Sequence, residues 1–159
     1  MKIYTLKQTQ LLPLTIQEAW KFFSAPENLA MITPSRMNFE ILSRTGNGKM
    51  FKGQIIRYKV TVLPFVRVKW VTEITEVSDL DYFIDEQRTG PYSLWHHEHH
   101  FKVVRGGVEM TDLLTYSIPF HFLGQIAHWL FVERELKAIF EHRSQTLQKI
   151  FPKNEVKNK

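Results

Sequence analysis

Four of the chain's histidines fall in a single run, Trp95-His96-His97-Glu98-His99-His100-Phe101. If that run is a strand, the period of two sets Trp95, His97, His99 and Phe101 on one face and His96, Glu98 and His100 on the other. Two histidines at i and i+2 can both point at one metal ion, so His97 and His99 could form a site with Asp85 or Asp112 as third ligand. No downstream histidine or carboxylate shows a recognisable metal spacing. The expectation is therefore no metal and no other cofactor, with the histidines in a cross-strand polar ladder or on an exposed wall. A buried Asp beside a His would raise the imidazole pKa and could do general acid or base work. The alternative is a satisfied hydrogen-bond network that only fixes strand register.

The run from Leu80 to Arg88 offers the acidic partner. Phe83, Asp85 and Gln87 share one face there; Tyr82, Ile84, Glu86 and Arg88 share the other, and both faces mix apolar with polar groups. The pattern does not decide which looks inward. The reading adopted turns Phe83, Asp85 and Gln87 toward Trp95, His97 and His99, with Asp112 and Tyr116 joining from the next strand. Arg143 stands out because it interrupts an apolar helical stripe. Buried there, a guanidinium needs a carboxylate, and Asp85 or Asp112 are the candidates; otherwise it snorkels past the sheet edge. Facing a cavity, it would favour ligands ending in a carboxylate or phosphate.

These residues need a scaffold, and its last piece is the stretch from Pro119 to Phe151. At 100° per residue, Ile126, Trp129, Val132, Leu136, Ile139, Phe140, Leu147 and Ile150 fall on one side, which predicts one long amphipathic helix. Leu130 and Phe131 lie off that stripe. Docking against other helices explains them most simply, and an exposed patch for a partner or membrane is the minority reading. Residues 2 to 12 read as a first strand. Thr15-Ile16-Gln17-Glu18 is a capping box opening a helix through Phe23, and Ser24-Ala25-Pro26-Glu27 repeats the device for a second short helix to about Ile32. Strands follow over Met37 to Ser43, Phe51 to Leu63, Val66 to Ile74, Leu80 to Arg88, Leu94 to Val104 and Val108 to Ile118. Thr45-Gly46-Asn47-Gly48, Pro64-Phe65, Gly90-Pro91 and Arg105-Gly106-Gly107 separate them. The fold class is thus α+β, a seven-stranded antiparallel sheet laid around a long C-terminal helix, with two short helices after the first strand.

At 159 residues the chain fits one domain, over 1–152, with a basic disordered tail at 153–159. The absence of cysteine excludes disulfides, thiolate metal sites and Cys nucleophiles. The formal charge of +5 sits partly in the tail, and no basic stripe with interleaved exposed aromatics supports nucleic-acid binding. The N-terminus lacks a signal-peptide core and no run approaches the ~20 apolar residues of a membrane span, so a cytoplasmic protein is expected. Twelve Phe are compatible with a roomy apolar interior and equally with a tightly packed aromatic core.

The element order resembles the SRPBCC superfamily of START-like, helix-grip proteins. So do Glu18-Ala19-Trp20-Lys21-Phe22-Phe23, Pro26-Glu27-Asn28-Leu29 and Ile32-Thr33-Pro34. Tyr82-Phe83-Ile84-Asp85-Glu86-Gln87, Gly90-Pro91-Tyr92, Trp95-His96-His97 and Phe101 resemble its bacterial ligand-binding branch, related to polyketide cyclase/dehydrases and lipid-transport proteins. The resemblance covers essentially residues 2 to 151. It implies a cavity between sheet and helix for a lipid, polyketide or similar molecule. On this reading Trp70, Phe83, Trp95, Tyr116, Leu136 and Phe140 hold the guest, and Asp85, Gln87, His97, His99, Asp112 and Arg143 orient its polar end. The rival is a cyclase or dehydratase using His97 or His99 as base against an acidic partner. A protein-interaction module using the helix entrance is a third reading. Neither ligand identity nor oligomeric state is legible.

Overall fold

In the computed structural model, which describes residues 1–63 and 66–152, the period-two patterning becomes seven antiparallel strands. They are β1 (Tyr4–Leu12), β2 (Glu40–Arg44), β3 (Ile55–Leu63), β4 (Val66–Ser78), β5 (Tyr82–Thr89), β6 (Leu94–Val104) and β7 (Gly107–Ser117). Their order in space is β1-β7-β6-β5-β4-β3-β2. Neighbours in sequence pair from β2 to β7, and β1 adds to the far edge beside β7. Alternating burial along β7 is the signature of a sheet with one face on the core and one toward solvent. The expected tail at 153–159 and the Pro64-Phe65 break lie outside the described residues.

Between β1 and β2 run α1 (Ile16–Phe23) and α2 (Pro26–Ile32), joined by one short crossing. The α1 capping box is present: the Glu18 amide donates to Thr15 Oγ1 at 3.3 Å, and the Thr15 amide donates to Glu18 Oε2 at 2.8 Å. The second expected box is absent. Ala25 is the N-cap of α2 and makes no side-chain cap bond, while Ser24 closes α1 through its amide to the Trp20 carbonyl. Pro26 starts α2, where its missing amide costs nothing. Two strand boundaries also shift. Residues Ser35–Met37 form a 3₁₀ turn ahead of β2, and β3 begins only at Ile55, because the Gln54 amide donates to the Phe51 carbonyl in a turn.

The C-terminal helix runs from His121 to Ile150 as α3 (His121–Ala127), a π turn (His128–Val132) and α4 (Glu133–Ile150). The π turn inserts about one extra residue per turn, which rotates what precedes it by about 100° relative to α4. This corrects the single-stripe reading. Leu136, Phe140 and Leu147 are buried, whereas Trp129, assigned to the same stripe, is 79% exposed. Phe122, Leu123, Ile126 and Leu130 are exposed beside it, so this segment is not buried against the short helices.

Two apolar clusters result, one around Leu12, Ala19, Phe23, Phe101, Val108 and Leu147, the other around Leu114, Tyr116, Leu136 and Phe140. The β6–β7 hairpin is tied to β1 through the glycine turn. Gly107 adopts φ +141°, and a Cβ there would lie 2.0 Å from the Leu12 carbonyl oxygen; Gly106 (φ +93°) would meet only Leu11 Cδ2 at 3.9 Å. Gly107→Ala is expected to cost at least ~2 kcal/mol, more than Gly106→Ala, in urea denaturation. Equal costs would mean that only backbone conformation, and not the approach of β1, demands glycine.

Candidate functional site

Strand register assembles the site. The β5–β6 pairing sets Asp85 opposite His97 and Phe83 opposite His99, and the β6–β7 pairing sets Asp112 opposite His99. All point to the concave face, where α4 supplies Arg143. The outer face carries the other histidines: His96 Nδ1 lies 2.9 Å from Glu86 Oε1 across the β5–β6 pair, and His100 Nε2 lies 2.8 Å from Glu98 Oε2 two residues back on the same strand.

On the inner face two imidazoles stand between two carboxylates. His97 Nε2 donates to Asp112 Oδ1 at 3.1 Å, and its Nδ1 lies 3.6 Å from Asp85 Oδ2. His99 Nε2 donates to Asp85 Oδ2 at 2.9 Å. Its Nδ1 also sits 2.9 Å from Asp112 Oδ1, but out of line, and has no hydrogen-bond partner among the described residues. The ring centroids of the two histidines are 3.9 Å apart. Arg143 reaches Asp112 at 3.6 Å and lies over the Phe23 ring, so the guanidinium is the buried, carboxylate-paired one of the two alternatives.

Burial opposes charge on every member, and the partners overcome it unevenly. At Asp112 the burial penalty is outweighed by the Arg143 charge and by the close approach of both histidines, which hold its carboxyl well below the usual range. At Asp85 the His99 hydrogen bond and the charges of His97, His99 and Arg143 do the same less strongly. For His97, burial followed by the neighbouring His99 charge pushes the pKa down, against the pull of Asp112 and Asp85. For His99, the two carboxylates outweigh burial and push it up. One imidazole of the pair thus favours the charged form and the other the neutral form.

The network forms one end of a hollow of about 300 Å³ between sheet and helix. Trp70, Phe83, Asp85, Trp95, His97 and His99 line it from the strands, and Leu136, Phe140 and Arg143 line it from α4. Three residues expected there are elsewhere. Asp112 lies behind the histidines, touching the hollow only through them. Gln87 clamps the turn after β5: its Nε2 donates to the Tyr92 carbonyl at 2.7 Å, and the Tyr92 amide donates to its Oε1 at 3.2 Å. Tyr116 pairs with His128 Nε2 at 2.8 Å under the stacked Tyr4 ring, its hydroxyl pushed up to about 12 by burial.

The strands also bring in Tyr58 and Thr72, bonded to each other at 3.1 Å, and the turn brings in Tyr92. Burial pushes the Tyr58 and Tyr92 hydroxyls upward, so both remain neutral donors. Tyr58 was available in the sequence as a member of the alternating face of β3 with Ile56 and Val60. Tyr92 had no such signal, because its position depends on the Gln87 clamp. The short helices contribute Phe22 and Phe23 from α1 and Leu29 from α2.

An open antiparallel sheet closed by one long helix, with two short helices after the first strand, decides the fold. It is the SRPBCC-type helix-grip fold. Solved structures with this fold include TTHA0849 from Thermus thermophilus, at TM-score 0.72 and 16% identity over 92% of this chain and 95% of that one. Ara h 8.0201 aligns at TM-score 0.60 and 12% identity over 93% of this chain and 99% of that one. StfQ, described as a di-domain ARO/CYC from the steffimycin biosynthetic pathway, aligns at TM-score 0.69 and 10% identity over 94% of this chain and 50% of that one. No family model and no curated protein matches the sequence. Among the described residues no helix is long and apolar enough to cross a membrane.

The network fixes an acid dependence. Asp85 and Asp112 have folded pKa values below their unfolded ones, so their contribution is fully present above about pH 4 and is lost as pH falls through the folded values. His99 and His97 shift in opposite directions, so their contributions to stability change with opposite sign as pH falls through the imidazole range. The carboxylates act in one direction only, and urea midpoints are expected to fall below pH 4. Asp112→Asn keeps an acceptor oxygen but removes the negative charge that Arg143 and the histidines share, which should cost about 3 kcal/mol at pH 7 and flatten the acid fall. An unchanged acid slope in that variant would remove Asp112 from the account.

Proposed function

We propose that the protein binds a hydrophobic small molecule, a lipid, polyketide or similar compound, between the sheet and α4. The observation that carries this reading is the composition of the hollow: walls of Trp, Phe, Leu and Ile with the polar groups gathered at one end around Asp85, His97 and His99. The apolar walls supply affinity and the polar end supplies orientation. Trp70, Phe83, Trp95, Leu136 and Phe140 hold the body of the guest.

The network also bears on the guest's head group. Two carboxylates already face one guanidinium, so an incoming carboxylate or phosphate would add a third negative charge, and Arg143 has its own partner in Asp112. A hydroxyl or carbonyl, able to bond His97, Tyr58 or Tyr92, suits the site better than the acidic end expected when Arg143 is considered alone. The exposed apolar stripe from Phe122 to Leu130 continues into Phe131 and Val132, which line the hollow. This supports a passage for the guest beside the start of the long helix.

A second reading is favoured by one specific observation. His97, held toward its neutral form beside acidic partners at the polar end of the hollow, is placed as a general base would be. A cyclase or dehydratase would use it in that way.

Native mass spectrometry of the purified protein, followed by titration of an apolar fluorophore displaced by a ten-carbon alcohol or the matching acid, tests the binding reading. The alcohol is expected to bind at least as tightly as the acid. Ile139→Trp, which adds bulk from α4 into the hollow, is expected to weaken both at least tenfold with little change in urea midpoint. Absence of saturable binding, or binding indifferent to Ile139→Trp, would overturn the proposal.

A further inference from the structure

The orientation of the two imidazoles carries a consequence beyond guest binding. Each ring turns one nitrogen toward Asp85 and the other toward Asp112. On the Asp85 side, His97 Nδ1, His99 Nε2 and a carboxylate oxygen converge, and all three lie within 4.8 Å of one another. Three Lewis bases pointed at one spot repel each other unless a cation stands between them. Without a metal ion, only the proton on His99 Nε2 does so.

On the opposite side, Asp112 approaches both remaining ring nitrogens, at 3.1 and 2.9 Å, and is itself held by Arg143. A carboxylate behind a ligating imidazole fixes its tautomer and raises its basicity, the arrangement that supports metal-binding histidines. Charge points the same way. Asp85 and Asp112 outnumber Arg143, and the charge left over is one that a protonated His99 or a bound cation would balance, in a site where His97 and His99 are 6% and 5% exposed. The Asp85 oxygens are also reached by no lysine or arginine within salt-bridge distance among the described residues.

We infer that Asp85, His97 and His99 form a binding site for a divalent first-row transition metal ion of the zinc type. Asp85 Oδ2, His97 Nδ1 and His99 Nε2 are the ligands and Asp112 is their orienting partner. Two imidazoles and one carboxylate suit zinc or cobalt rather than magnesium or calcium. Three protein ligands leave a position open toward the hollow, where water or an oxygen of the guest would complete the coordination. The inference stands apart from the guest's identity, since it concerns only these side chains and the ion.

The test uses full-length protein without a histidine tag, stripped with chelator and dialysed, and titrated with zinc by calorimetry and with cobalt(II) by visible absorption. One equivalent of zinc should bind with a dissociation constant of micromolar order or tighter, and cobalt should give d–d bands of a nitrogen and oxygen ligand set. His99→Ala and Asp85→Asn should each weaken binding at least a hundredfold, and Asp112→Asn roughly tenfold to a hundredfold. His96→Ala and His100→Ala, on the outer face, should leave it unchanged. Circular dichroism reports whether each variant is folded, and the wild-type cobalt spectrum stands whatever the variants do. No binding at millimolar zinc, a spectrum without such ligation, or binding that survives His99→Ala but is lost in His96→Ala would overturn the inference. Because no apolar guest enters the experiment, its failure leaves the binding reading intact, and the alcohol titration can fail without touching the ion.

Discussion

One carboxylate holds the concave side of this molecule together. Asp112 on β7 accepts from His97 and lies against His99 on β6, and it meets Arg143 from α4, so a single buried anion couples two strands to the helix they grip. The imidazoles carry the coupling on to Asp85 of β5. Removing such a group leaves the Arg143 charge and the His97 donor uncompensated in a low-dielectric site, which costs more than either contact contributes. The apolar clusters give the fold its bulk stability. The network gives it a fixed distance between helix and sheet on this side, and that distance is what a hollow requires.

Aromatic packing does not fill the hollow because the rings are used elsewhere. Trp70 packs among Tyr58, Tyr92 and Trp95, and Phe22 of α1 packs on Phe23 and on Phe151 at the end of α4. Phe83 stacks on His99 with centroids 4.2 Å apart, which commits it to the polar network. An aromatic-rich chain of this kind therefore builds a lined wall in place of a solid plug. The two alternatives open in composition differ only in where the rings are anchored.

The strand pattern was legible because its cause is local: alternation over β3, β4, β6 and β7 follows from one buried face, and a one-residue slip would expose it. The face of β5 was not decidable from its own residues; the choice of Phe83 and Asp85 as inward holds because register sets them against His99 and His97. What stayed hidden depends on single departures from regularity. A π turn of five residues moved Ile126 and Trp129 out of the stripe that Leu136 and Phe140 follow, and a hydrophobic pattern at 100° per residue has no means of showing where a turn gains a residue. Gln87 fell outside the hollow because the chain reverses just beyond it, so its amide meets the Tyr92 backbone first. The choice between Asp85 and Asp112 as the group beside the histidines stayed open for a related reason. Spacing along the chain does not register which ring nitrogen a residue delivered by a neighbouring strand will face.

The division of labour inside the hollow follows from magnitudes. A guest that buried roughly 300 Å² of apolar surface would gain ~7–8 kcal/mol at ~25 cal/mol per Å², which bounds affinity at about the micromolar level before the cost of ordering it is subtracted. A neutral hydrogen bond at the polar end adds only ~0.5–1.5 kcal/mol, but an unmade one at a buried donor costs more than that. On the proposed binding reading, the walls would set how tightly a guest is held, and the histidine end which guests are admitted and in what orientation. That separation also explains why the polar groups are clustered. Spread over the walls, each would demand its own partner from every guest; gathered beside Asp112 and Arg143, they share partners, with His99 Nδ1 and Arg143 Nε left over among the described residues.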